Sequence, residues 1–164
     1  MTEPQSREPL LEIEEILPIL NKIALFGGLN DKQLYAIFRL LQKTHFARGE
    51  FIFEQGDAPS DIYIVWKGSV ELVLDVGGTP LAEMVFTAGD CFGEIAMIGI
   101  ERHTASALAK EDTELIVLPR EGLFSLWDTD KELFGMLVLN IAREACRRLN
   151  QTDQNLLHYF SHKD

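Results

Sequence analysis

The spacing of apolar positions divides the chain into three zones, and the first, to about residue 44, has the period of a helix. One apolar stripe there follows positions i, i+3, i+4 and i+7 and consists of Leu34, Ile37, Phe38 and Leu41. Asn30 precedes this stripe and Gln33 lies three residues later, the pattern of a capping box at a helix start. A shorter helix is predicted for Leu10–Leu17, where Pro18 ends it.

The second zone, from about residue 45 to 120, has a period of two. Apolar and polar residues alternate along residues 62–67 and again along 70–75. Gly68 lies between these runs and Gly77–Gly78 follow the second, where hairpin turns need a positive φ. No stretch is long enough for a crossover helix, so parallel βαβ units are disfavoured. The zone therefore predicts an antiparallel barrel or jelly roll.

The third zone, from about residue 121, is helical again. Its apolar residues surround most of one helix and include Leu133, Phe134, Met136, Leu137, Val138, Leu139, Ile141 and Ala142. A helix of this kind is buried on more than one side. One side can cover the sheet, and the other predicts a twofold copy of the chain or further packing within it. Arg143, Arg147 and Arg148 are interpreted as residues that solvate this helix.

Composition narrows the class of protein. The chain has 164 residues, of which 46% are hydrophobic and 25% charged, the balance of one globular domain. Its formal net charge is −11, whereas DNA and anionic membrane surfaces attract basic faces. We therefore expect neither a nucleic acid nor a membrane as a partner.

The remaining candidate chemistry is sparse. Cys91 and Cys146 are too few and too far apart for a disulfide framework, and five glutamates within Met1–Glu15 oppose a signal peptide. These features predict a reduced, cytoplasmic setting. The four histidines do not form the H-x-H pair of a metal-binding jelly-roll enzyme, so that alternative is the weakest. No catalytic constellation is found, and we expect a non-enzymatic protein without a metal or cofactor.

The segment most informative about chemistry is Gly89–Ile98. Gly93 permits a sharp turn and the close approach of a ligand. Glu94, Ile95 and Ala96 are predicted to begin a short helical turn, whose first N–H groups lack internal partners and favour an anion. The alternative is that Phe92–Gly93 only turns a corner of the barrel and that Glu94 is solvated.

Three motifs in this order resemble those of the cyclic nucleotide-binding domain family. Residues 49–57 resemble its G-x-x-I-x-x-x-G-D hairpin, residues 63–70 its Y-x-V-x-x-G-x-V strand pair, and residues 92–96 its phosphate-binding cassette. The resemblance covers about residues 20 to 150. It implies a mainly β fold with flanking helices, a double-stranded β-helix that is jelly-roll-like. The single domain would span 1–164, with N-terminal helices at 1–44, the β-roll at 45–120 and C-terminal helices, one of them long, at 121–164.

The resemblance also implies a ligand site at Phe92, Gly93, Glu94, Ile95 and Ala96. In the family, the carboxylate that Glu94 matches accepts a hydrogen bond from the ribose 2′-OH, and the backbone around it cradles the cyclic phosphate. An arginine nine residues later normally pairs with that phosphate.

At the position of that arginine this chain has His103, and Arg102 precedes it. His103 could protonate beside the phosphate, a bulge could bring Arg102 inward, or His103 could fill a degenerate pocket. Thr104 and Ser106 are weaker candidates, and Ser106 is interpreted as a hydroxyl bonded to backbone.

The leading hypothesis is therefore a regulatory sensor module. It would bind cyclic AMP, cyclic GMP or a similar phosphorylated ligand, and relay that binding through the C-terminal helix to a twofold copy or a downstream protein partner. The second hypothesis, motivated by His103, is a ligand-independent dimerisation or interaction module that kept the fold and lost the pocket.

Overall fold

Two antiparallel sheets form a roll in this computed structural model, which describes residues 6–10, 16 and 20–161. One sheet has the order β1-β2-β9-β4-β7 and the other β3-β8-β5-β6. The strands are β1 (Glu8–Pro9), β2 (Gln42–Phe46), β3 (Phe51–Phe53), β4 (Ile62–Lys67), β5 (Ser69–Val76), β6 (Thr79–Thr87), β7 (Cys91–Phe92), β8 (Ser106–Ala109) and β9 (Thr113–Leu118). Gly77 and Gly78 have positive φ and join the paired strands β5 and β6, as the hairpin prediction requires. Gly68 also has a positive φ, but the hairpin predicted there is wrong, because Gly68 joins β4 and β5, which lie in different sheets.

The helices flank this roll, which confirms the predicted fold class. They are a 3-10 turn (Ala24–Phe26), α1 (Asp31–Phe38), α2 (Glu94–Gly99), α3 (Arg120–Thr129) and α4 (Lys131–Ser161). The predicted capping box starts α1: the Asn30 side chain accepts from the Gln33 N–H at 2.9 Å, and the Gln33 side chain accepts from the Asn30 N–H at 3.0 Å. The predicted helix Leu10–Leu17 lies for the most part outside the described residues.

The first zone is not wholly helical in the structure. Glu8–Pro9 form the strand β1, which pairs with β2, and β2 begins at Gln42. β1 has only two residues and the sequence of β2, QKTHF, is mostly polar, so neither shows the apolar alternation that marks β4 and β5.

Two hydrophobic cores lie on the two faces of the five-stranded sheet. The alternation along β4 shows the division, because Ile62 and Ile64 pack with the helices while Tyr63 and Val65 face the interior of the roll. Both sets are buried, so β4 is covered on both sides. The roll interior between the sheets is where a ligand cavity can form.

The last helix, α4, is continuous from Lys131 to Ser161. Its inner face buries Leu133, Leu137 and Ile141 against the helix-side core. Asn140 on the same face donates from Nδ2 to the carbonyl oxygens of Leu25 and Gly27, at 3.0 and 2.9 Å. Of the other apolar residues predicted to surround the helix, Phe134, Met136 and Val138 are half-buried, whereas Leu139 and Ala142 are exposed in a single chain.

Candidate ligand-binding site

A cavity of about 310 Å³ opens into the roll. Phe53, Leu72 and Phe92 supply apolar walls from the strands, and α2, the loop after it and α4 supply the rest. Cavities of this size, mostly apolar with a few convergent polar groups, are typical small-molecule sites. The charged side chains among its lining residues are Glu94, Glu101, Arg102 and Arg148, two of each sign.

Gly93 makes the turn that begins the cassette. Its φ is +87°, and a Cβ built there would lie 2.7 Å from the Asp61 carbonyl oxygen. Only glycine combines that backbone conformation with so close an approach. The predicted short helix follows at once, because α2 begins at Glu94.

The Glu94 carboxylate is fully buried at the start of α2. Its Oε1 lies 2.6 Å from Arg148 Nη1, and its Oε2 has no hydrogen-bond partner within the described part of the chain. Burial raises the pKa of Glu94, and the charge of Arg148 opposes that rise. The alternative interpretation, in which Glu94 is solvated, is therefore wrong.

Arg148 brings the long helix into the site. Its side chain also donates to the Cys91 carbonyl oxygen and, through Nε, to Glu144 Oε1 at 3.2 Å, and its guanidinium lies 4.8 Å from the Phe86 ring centroid. The prediction that Arg148 merely solvates the helix is wrong, because its side chain is only 9% exposed.

A sequence signal for Arg148 existed. The buried stripe of α4 runs through Leu137 and Ile141 to Glu144 and then to Arg148, at the spacing of one helical face. A charged residue that continues such a stripe has to find a buried partner.

His103 lies on the other side of the cavity and is also buried. Its ring stacks on Phe53 with centroids 3.7 Å apart, and its Nε2 lies 3.1 Å from Ser60 Oγ. Burial lowers the pKa of His103, and the negative charge of Asp57 opposes this. These contacts favour a neutral ring, so they weigh against the interpretation in which His103 protonates beside a phosphate.

The structure places the other candidates in different positions. Arg102 is exposed at the rim, where its Nη1 donates to the Gly56 carbonyl oxygen at 2.7 Å. Thr104 lines the cavity, whereas Ser106 Oγ accepts from the Gln55 N–H at 2.9 Å and is not part of the lining. The cavity thus brings together residues 92–96, Arg102, His103 and Thr104, but not Ser106.

The described residues contain neither a metal-ligand cluster nor a membrane-spanning helix. No group of three or more histidine, cysteine, aspartate or glutamate side chains among them is placed to hold a metal ion. None of their helices is both long and apolar enough to cross a bilayer.

The chain belongs to the cyclic nucleotide-binding domain family, whose profile matches residues 43–130. It is 32% identical over 133 residues to the cyclic AMP receptor protein of Thermus thermophilus, covering 80% of this chain and 60% of that protein. It is 29% identical over 127 residues to the cyclic nucleotide-gated channel beta-3 of Canis lupus familiaris, covering 74% of this chain and 16% of the channel. The chain thus spans only part of the length of these relatives.

Solved structures share the fold. A cyclic nucleotide-binding domain from Methylobacillus flagellatus superposes with a TM-score of 0.80 at 24% identity, over 90% of this chain and 83% of that one. The catabolite activator protein of Thermus thermophilus gives a TM-score of 0.71 at 31% identity, over 81% of this chain and 61% of that one. The family resemblance and the jelly-roll-like fold expected from the sequence are confirmed.

Proposed function

We propose that this chain is a non-enzymatic regulatory module that binds a cyclic nucleotide, cyclic AMP or cyclic GMP, in the roll cavity. The observation that carries the proposal is the Glu94 carboxylate. It is fully buried, and its Oε2 is an acceptor with no partner in the described residues. A buried acceptor of this kind is costly unless a donor reaches it, and a ribose hydroxyl is such a donor.

The same carboxylate supports a relay to the long helix. Arg148 on α4 pairs with Glu94 Oε1. A ligand that binds at Glu94 therefore contacts a carboxylate that is ion-paired with a side chain of α4. A ligand that binds more tightly to one position of α4 than to another shifts the population between them. The proposed relay therefore runs from Glu94 through Arg148 to α4, and onward to a downstream protein partner or a second copy of the chain.

The test of the ligand site is calorimetric titration of the Glu94→Ala variant with cyclic AMP and cyclic GMP at pH 7.5. Loss of the carboxylate that would accept from the ribose hydroxyl should weaken cyclic nucleotide binding at least about tenfold. Glu101→Ala is the matched control, because Glu101 lines the same cavity but is exposed at its rim. Equal affinity of the Glu94→Ala variant and the unaltered chain would contradict this site.

We also propose that two chains pair through α4. A stripe on its exposed side alternates steps of three and four residues and contains Leu139, Ala142, Cys146, Leu149, Asp153, Leu156 and Phe160. This is the heptad spacing of a two-stranded coiled coil, and every member is exposed in the single chain. The residues of α4 beyond Arg148 that have a described side chain are exposed as well, so a second helix can pack there.

Sedimentation equilibrium tests the pairing. Leu149→Glu should convert a dimer to a monomer, whereas Gln151→Glu, exposed but off the stripe, should not. Oxidation should cross-link Cys146 to its copy if the helices are parallel, because equivalent core positions then face each other. A monomer at every concentration would contradict the dimer.

The second candidate function is a ligand-independent interaction module. It is favoured by His103, whose ring is held by Phe53 and Ser60 and lacks the fixed charge of an arginine. Calorimetry separates the two functions, because no heat with millimolar cyclic AMP or cyclic GMP would favour the second. The cytoplasmic location stays a prediction.

A further inference from the structure

A second cavity, of about 410 Å³, lies between the N-terminal segment and strand β4. We call it the Trp66 groove; its lining consists of Lys22, Ile23, Val65, Trp66, Lys67 and Ala88–Gly89. None of these residues lines the roll cavity that contains Glu94. The groove therefore needs an explanation separate from the nucleotide site.

A bulge in β4 shapes the groove. Val65 is opposite Leu115 and Lys67 is opposite Glu114, so Trp66 is the extra residue between two successive pairs. Such a bulge bends the strand and redirects its side chains. The facing turn is held in place by main-chain hydrogen bonds, since Gly89 N donates to the Val65 carbonyl at 2.9 Å and Val65 N to the Asp90 carbonyl at 3.0 Å.

The walls of the groove are apolar and its charge is positive. Ile23 is buried in the helix-side core and Trp66 packs against the same core, whereas the side chain of Val65 faces the interior of the roll. The charged side chains among the lining residues are two lysines, in a chain whose formal net charge is −11. Lys67 has only a 3.5 Å contact with Glu114, and no described carboxylate forms an ion pair with Lys22.

We propose that the Trp66 groove binds a small amphiphilic carboxylate, with its aryl or alkyl part on the apolar walls and its carboxylate at the lysine rim. Apolar walls with a few oriented charges are what a small-molecule site requires, and the volume suits a ligand of this size. A neutral apolar ligand would leave the Lys22 ammonium without a counter-charge, and a cation would be repelled by both lysines.

The groove also borders the parts of the fold that hold the nucleotide site. Ile23 precedes the 3-10 turn whose Leu25 carbonyl accepts from Asn140 of α4. Strand β4 pairs with β7, which leads into Gly93. The lining of the Trp66 groove nevertheless includes neither Glu94 nor Arg148, so the test of the groove does not depend on nucleotide binding.

Tryptophan emission tests the proposal directly. Trp66 and Trp127 are the two tryptophans of the chain, so in a Trp127→Phe background the emission reports on the groove alone. Phenylbutyrate, phenylbutylamine and phenylbutanol share one apolar part and differ in charge. We expect a saturable change with phenylbutyrate, and affinity at least about tenfold weaker for the amine and the alcohol.

Lysine variants in the same background locate the carboxylate. Lys22→Glu and Lys67→Glu should each weaken phenylbutyrate binding at least about tenfold, because a rim charge reverses sign. Lys32→Glu is the control, since Lys32 is exposed on α1 outside the groove. Equal responses to the three compounds, no saturation, or insensitivity to both groove variants would each overturn the proposal. Circular dichroism checks that the variants are folded.

Discussion

The two ends of the roll cavity differ in how their buried polar side chains are paired. At one end the Glu94 carboxylate is ionically paired with Arg148 and keeps one acceptor oxygen unused. At the other end His103 has its ring on Phe53 and its Nε2 at Ser60 Oγ. The first end has an acceptor oxygen left for a ligand, whereas Nε2 at the second end already has a partner within the protein. A ligand is therefore expected to gain more from Glu94 than from His103.

The largest expected effect is at the charged end. Arg148→Met would leave Glu94 buried without its partner and should lower the free energy of unfolding by about 3 kcal/mol. The neighbouring Arg147 also pairs with Glu144, but its side chain is 58% exposed, so Arg147→Met should cost less than about 1 kcal/mol. Urea denaturation of both variants measures the difference. Equal losses would show that burial of the pair does not matter.

The backbone at the same end should give the next largest effect. Gly93→Ala adds both the strain of a positive φ and a Cβ 2.7 Å from the Asp61 carbonyl oxygen. Gly89 also has a positive φ, +94°, but a Cβ there meets nothing within 4 Å. Gly93→Ala should therefore be about 2 kcal/mol more destabilising than Gly89→Ala. Thermal and urea unfolding of the two variants provide the measurement, and equal destabilisation would refute the close approach at Gly93.

The neutral end can be tested by giving it a charge. His103→Arg should tighten binding of cyclic AMP or cyclic GMP at least about tenfold, because a guanidinium can stack on Phe53 and pair with a phosphate. Thr104→Arg adds the same charge at an exposed neighbouring position and should have a smaller effect. No gain with His103→Arg, measured by calorimetry, would indicate that the pocket has decayed beyond this one anchor and would favour the ligand-independent module.

The smallest expected effect is a pH dependence of stability. Burial lowers the folded-state pKa of His103 from its ordinary value of 6.5, so below pH 6.5 the unfolded chain binds more protons at this residue. The stability from neutral His103 is complete above that pH and is lost as the pH falls toward the lowered pKa. The His103→Gln variant should show a shallower decline in unfolding free energy between pH 7 and about 5.5. An unchanged slope would contradict a neutral, buried His103.

The candidate site was predictable only in part. The Gly93–Glu94 turn and the short helix after it followed from local pattern, because a glycine at a sharp turn and the start of a helix are properties of adjacent residues. Arg148 did not, since it lies 54 positions beyond Glu94 and meets it only when α4 packs across the roll. Ser60 was missed for the same reason, because its contact with His103 joins two loops distant in sequence.

Local sequence was enough to predict the periodicities, the glycine turns, the capped helix α1 and the family motifs, because each depends on neighbouring residues and their conformational preferences. Packing between distant segments determines which charges are buried, which oxygen of Glu94 has no partner among the described residues, and which side of α4 is covered. These depend on distances between segments far apart in the chain, and burial changes the energy of a charge more than any local pattern can indicate.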